Sequence, residues 1–230
     1  MKFVTLVCAS VLLIVTAINA QVSVGLRGGY VRSELSATSA AGKAVKSATS
    51  PLNSWQAGVF FNVPLFRNGY LQPGLSFITK GANLENKGEQ DAGLFLPAAT
   101  RLKLQYLELP VNLVYKVPVG IGKLVFGGGP YAAFSLRADY DLAIYNQGKM
   151  IQSSSQRVDF SQDPNVFSTN INLHRWDAGV NATAGIEFNC YVTVGVNYSY
   201  GLMDINKSAG GLRNRYFGVS VGVLLNREDW

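Results

Sequence analysis

His174 is the one side chain in the sequence that would trade protons near neutral pH without help from its surroundings. Next to a serine and an acid it would serve acyl transfer, yet no Gly-x-Ser-x-Gly segment or other nucleophile context accompanies it. A transition-metal site would want more histidine and cysteine than His174 and Cys190 supply. Asp139, Asp141, Asp159 and Asp163 fall close together, but their spacing fits no calcium loop. Gly127-Gly128-Gly129 lacks the Lys-Ser/Thr of a phosphate loop. No catalytic, cofactor-binding or metal-ligating residue is assigned, and no cofactor is expected.

What remains is charge set among apolar residues at a spacing of two. From Tyr106 to Lys116, Leu107, Leu109, Val111, Leu113 and Tyr115 share one face and Tyr106, Glu108, Pro110, Asn112 and Lys116 the other, with Val114 alone out of pattern. Such alternation is the mark of a strand. It recurs along the chain. Leu26 and Tyr30 oppose Arg27, Trp55 to Leu65 oppose Gln56 and Asn62, and Leu71 to Phe77 oppose Gln72 and Lys80. Leu124, Phe126, Phe134 and Leu136 oppose Val125, Tyr131, Ser135 and Arg137, while Trp176 to Phe188 oppose Asp177 and Glu187. Val192 to Leu202 and Phe217 to Leu225 complete the set against faces rich in Gly, Ser and Asn.

About eight such runs, separated alternately by long and short connections, give the weak repeated signature of a closed, antiparallel, up-and-down transmembrane β-barrel. Short turns such as Phe66-Arg67-Asn68-Gly69 would then lie in the periplasm with both termini, and the long loops outside. A soluble, secreted barrel binding an apolar ligand would bury the same apolar faces inward, but glycine-rich polar faces suit a narrow lumen better than a solvent surface. The inward set predicts a polar lumen network of Arg27, Lys80, Glu108, Lys116, Arg137, Asp177 and Glu187, paired and structural rather than catalytic. At the strand ends nearest the long loops, Arg101, Lys103, Arg213 and Arg215 are candidates to meet lipopolysaccharide phosphates.

The Tyr106–Lys116 stretch also resembles the Tyr-Leu-Glu-hydrophobic-Pro strand of the PorT-like outer-membrane β-barrel family of Gram-negative bacteria. Further similarity lies in Gln72-Pro73-Gly74-Leu75 through Ala82, in Asp177-Ala178-Gly179 through Phe188, and in Tyr198-Ser199-Tyr200-Gly201-Leu202. The resemblance implies a small barrel in the outer membrane, some relatives of which serve protein secretion. Expected partners are outer-membrane lipid and lipopolysaccharide, the barrel-assembly machinery during biogenesis, and a secretion or surface protein. The alternative with chemistry is an outer-membrane enzyme acting on lipid through His174.

A composition 48% apolar and 15% charged excludes disorder, and a net charge of +6 without any Lys/Arg block gives no support to nucleic-acid binding. Residues 1–20 read as a signal peptide, cleaved after Ala20 or Ala17, leaving 21–230 as one barrel domain. Cys8 leaves with it, so no internal disulfide can form. The carboxyl end departs from outer-membrane habit, since Trp230 has the opposite parity to Phe217 and Leu225.

Overall fold

Period-two alternation becomes extended backbone because a pleated chain sends successive side chains to opposite faces. The computed structural model describes residues 22–38, 44–45, 49–84, 97–146, 149–157, 173–206 and 211–226, so the expected signal peptide lies outside the described residues. In chain order the strands are β1 (Ser23–Thr38), β2 (Ala44–Val45), β3 (Thr49–Phe66), β4 (Gly69–Leu84) and β5 (Pro97–Val119). Then come β6 (Gly122–Asn146), β7 (Lys149–Arg157), β8 (Trp176–Phe188), β9 (Val192–Gly201) and β10 (Gly211–Leu224).

Neighbours follow the order β10-β9-β8-β6-β5-β4-β3-β1, and β1 returns to pair with β10 from Gly25 opposite Leu224 to Thr38 opposite Gly211. Among the described residues, β2 pairs only with the far end of β1, and β7 only with β6. The remaining eight strands form a closed antiparallel wall. Closure leaves no unpaired edge in the wall, the condition for a sheet to stand in hydrocarbon. Three tight turns, at Arg67-Asn68, Gly120-Ile121 and Asn189–Tyr191, lie at one end with the start of β1 and the end of β10. Asn68 and Tyr191 take left-handed backbone there, at φ 66° and 68°.

The wall's outer surface is banded. Leu109, Val111 and Val221 are 52%, 41% and 55% exposed although apolar. Aromatic pairs flank this zone: Trp55 with Phe77 and Phe134 with Trp176 toward the long connections, Tyr115 with Phe126 toward the turns. On β5, Leu107 lies opposite Phe77 and Phe134 in the register. From Leu107 to Tyr115 the strand climbs about 20 Å, at ~3.4 Å per residue and a tilt of about 40°, close to the apolar band of an outer-membrane barrel.

Beyond the aromatic band on the long-connection side, polarity inverts. The exterior there carries Arg32, Glu34, Arg101, Lys103 and Arg213, while the interior holds Val31, Leu35, Ile78, Leu102, Leu104 and Tyr140 packed with Leu173 and Ile205. Where hydrocarbon ends and water begins, the apolar side must change faces, and the wall continues as a soluble barrel would. The expectation of a hydrophilic interior throughout is therefore corrected in this upper part.

A bulge alters one assignment. Gln105 pairs with Arg137 and Tyr106 with Ser135, which leaves Leu136 as an extra residue on β6. Leu136 is 52% exposed, and the next side chain, Arg137, is 49% exposed and pairs with Asp139 at 2.7 Å. Arg137, assigned to the lumen by unbroken alternation, thus stands on the outside.

Gly81 takes φ 148°, and a Cβ there would run into the carbonyl of Leu102 on β5. Gly81→Ala is expected to destabilise the folded barrel by about 2–4 kcal/mol. Urea titration of the heat-resistant gel band would register it as a lowered midpoint.

Candidate functional site

Inside the wall, the alternation of β4, β5 and β8 turns three charges toward one point. The Lys80 ammonium, fully buried, lies 2.7 Å from Glu108 Oε2 and 3.3 Å from Asp177 Oδ2. The rings of Tyr131, Tyr106 and Tyr216 surround it at 4.4, 5.2 and 5.2 Å. Tyr216 donates its hydroxyl to Glu108 at 2.9 Å, and Asn214 donates to Asp177 at 2.9 Å. Two carboxylates, one ammonium and three aromatic faces make a cage that ties together β4, β5, β6, β8 and β10. A buried charge is tolerated only when paired, and Lys80 pairs with both carboxylates, although Asp177 Oδ1 is buried without a hydrogen-bond partner.

Nearer the turns, Lys116 and Glu187 pair at 2.9 Å, with the Lys116 ammonium 4.4 Å from the Tyr70 ring. Gln72 donates to Asn62, and Asn62 to Ser23, at 2.9 and 2.8 Å. Gln56 reaches across to Asn197 at 3.3 Å. Of the seven charges assigned to the lumen, Lys80, Glu108 and Asp177 meet in one cluster and Lys116 and Glu187 in another. Arg27 lies against the Phe60 ring at 5.6 Å, and Arg137 is outside. Sequence reasoning left out Tyr216 and Asn214, although their parity with Gly218 would have placed both inside.

Inner glycines make room for the bulky side chains that face them. Gly179 shows why: a Cβ there would meet the Tyr131 ring at 2.7 Å. The cage crosses the lumen of a wall narrow enough for side chains to fill.

A family model described as "Outer membrane protein beta-barrel domain" matches residues 19–207. The chain belongs to this family. The exposed apolar band of this outer-membrane barrel therefore faces acyl chains, and the inversion above it marks the edge of the bilayer. Two similar solved structures are Ail of Yersinia pestis and the Neisserial surface protein NspA. Ail is 12% identical with a TM-score of 0.40, the match covering 90% of this chain and 100% of that one. NspA is 10% identical with a TM-score of 0.44, covering 88% and 96%. Among curated proteins none matches.

On the outside of this outer-membrane barrel, the four basic rim residues sit just past the aromatic band. Arg215 lies two residues beyond Phe217 and stacks on the Tyr200 ring at 4.8 Å, with its Nε buried and without a hydrogen-bond partner. Arg213 follows one step further, exposed. Arg101 and Lys103 are exposed on β5; Arg101 donates to Asn83 at 3.0 Å, and in the ladder the two face Asp141 and Asp139 of β6. The rim thus divides into a β10 pair and a β5 pair, the latter opposite acids. His174 is exposed, its backbone nitrogen donating to Ile205 at 2.8 Å. Asp159 and Asp163 lie outside the described residues.

Proposed function

We propose that this outer-membrane barrel is non-enzymatic, stands with both termini in the periplasm, and presents its long-connection end at the cell surface. There it would engage a partner in envelope or secretion support of the PorT-like kind, with lipopolysaccharide gathered around its basic rim. The observation that carries this is the polarity inversion. Strands continue past the acyl-chain level with a sealed apolar interior and a charged exterior, which is the construction of a platform standing in water. A lumen blocked by the Lys80 cage speaks against transport through the centre. Arg215 and Arg213, two and four residues beyond Phe217, would then meet lipid phosphates, whose oxygens suit the planar guanidinium fork.

Replacing Arg101, Lys103, Arg213 and Arg215 together with Gln is expected to weaken lipopolysaccharide binding by about tenfold or more, each cation near a charged membrane surface contributing roughly 1 kcal/mol. Co-purification with lipopolysaccharide and titration of the refolded protein both measure it. Binding equal to that of the unaltered protein removes the rim from the account. A deletion strain assayed for protein secretion and envelope integrity tests the wider role, and protease digestion of intact cells tests which end is outside.

A further inference from the structure

The basic rim is uneven around the barrel. On β5 each cation has an acid beside it in the ladder, Arg101 opposite Asp141 and Lys103 opposite Asp139. On β10, Arg215 stands opposite Glu34 of β1 and Arg213 opposite Ser36, and among the described residues neither arginine is held in an ion pair. What organises the β10 pair is a tyrosine. Tyr200 of β9 lies opposite Arg215, its ring 4.8 Å from the guanidinium carbon, and its hydroxyl accepts hydrogen bonds from Arg215 and Arg213 alike. Arg215 Nε, shut away from water, has no hydrogen-bond partner.

Two residues apart on one strand face, Arg213 and Arg215 are anchored about 7 Å from each other, at ~3.4 Å per residue. One hydroxyl bridging both draws their planar forks together. A guanidinium carries more donors than one phenol oxygen can accept, so N–H groups are left over beside that hydroxyl. A phosphate, with acceptor oxygens on every side, fits the remainder, and stacking on Tyr200 keeps the Arg215 fork in place. Below this rung, toward the middle of the wall, Tyr198 lies opposite Phe217 and Val196 opposite Val219, all four exposed on the outer face. The surface is cationic at one height and greasy beneath it, which matches a lipid whose phosphate stands above its acyl chains.

We propose that Arg213, Arg215 and Tyr200 form a clamp for one phosphate group of lipopolysaccharide, whose acyl chains lie along Phe217, Tyr198 and the valines below. The clamp rests on the reading of the rim as a lipopolysaccharide contact, and it narrows that contact from the whole rim to one face of the barrel.

The test is titration of the refolded full chain in zwitterionic detergent with fluorescently labelled lipopolysaccharide, either intact or stripped of its lipid phosphates by hydrofluoric acid. Arg213→Gln with Arg215→Gln should weaken binding of the intact lipid by about tenfold, and Arg101→Gln with Lys103→Gln by no more than about twofold. Arg213→Lys with Arg215→Lys keeps the charge but loses the forks, and should weaken binding by about fivefold. Tyr200→Phe keeps the ring but loses the hydroxyl, and should weaken it by about threefold. On the dephosphorylated lipid, wild type and all these variants should bind alike. If the Gln pair does not refold, the Lys pair and Tyr200→Phe decide the matter. Equal losses from the β10 and β5 pairs would mean scattered charge without a clamp, overturning the proposal while leaving the rim in place. So would a loss in the β10 variants that persists on the dephosphorylated lipid. If the variant with all four residues changed to Gln binds as wild type does, the rim falls and the clamp with it.

Discussion

Lys80→Met is expected to destabilise the barrel by about 3–5 kcal/mol, because it leaves Glu108 and Asp177 facing each other in the lumen without their shared cation. Among the described residues no other cation lies within ion-pair distance of either carboxylate. Tyr216, Tyr131 and Asn214 donate hydrogen bonds to these carboxylates but bring no positive charge. The loss should appear in urea titrations of the refolded protein, as a lowered midpoint of the heat-resistant band. Removing the acids as well separates pairing from packing. In the triple variant Lys80→Met, Glu108→Gln, Asp177→Asn no charge is stranded, and most of the lost stability should return, as when buried ion pairs elsewhere give way to neutral groups. A single variant as stable as the parent would mean that water reaches the carboxylates and the cage is no brace.

The second large effect concerns the outer face. Val111→Arg, midway between Leu107 and Tyr115 on β5, should cost about 2–4 kcal/mol in lipid vesicles, the depth-dependent cost of arginine near the bilayer midplane. Ser36→Arg, on the same outward surface but above the aromatic band, should change stability by no more than about 0.5 kcal/mol. The contrast decides the matter more sharply than either number. Equal costs at both positions would mean that the band boundary is misplaced.

Strand number, closure and the direction of most side chains were legible in the residues, because lipid and lumen impose opposite demands on alternate positions. Leu109 and Val111 against Glu108 and Asn112 can be satisfied only one way once the wall is closed. The bulge at Leu136 was not legible. It adds one residue without changing composition, and from there the parity of β6 reverses, carrying Arg137 to the outside. The apolar upper interior was hidden for a related reason: Leu102 and Leu104 share parity with the polar inner residues of β5, and only the height of the bilayer edge explains why the sign changes. Alternation finds faces; it carries no information about depth. The charged residues of the lumen were found one by one, yet their grouping depends on strand stagger, which sequence periodicity does not fix. Tyr106, Tyr131 and Tyr216 matter as ring faces around an ammonium, and nothing in their spacing announces that.

Quenching of the native tryptophans by brominated lipids tests the membrane placement most directly. In a Trp230→Phe variant reconstituted into bilayers, Trp55 and Trp176 are the remaining tryptophans, 56% and 57% exposed on the outward face. Bromines placed high on the acyl chains should quench strongly and those at the bilayer centre weakly, since both rings lie in the aromatic band. No quenching at any bromine depth would put these rings away from lipid and contradict the account.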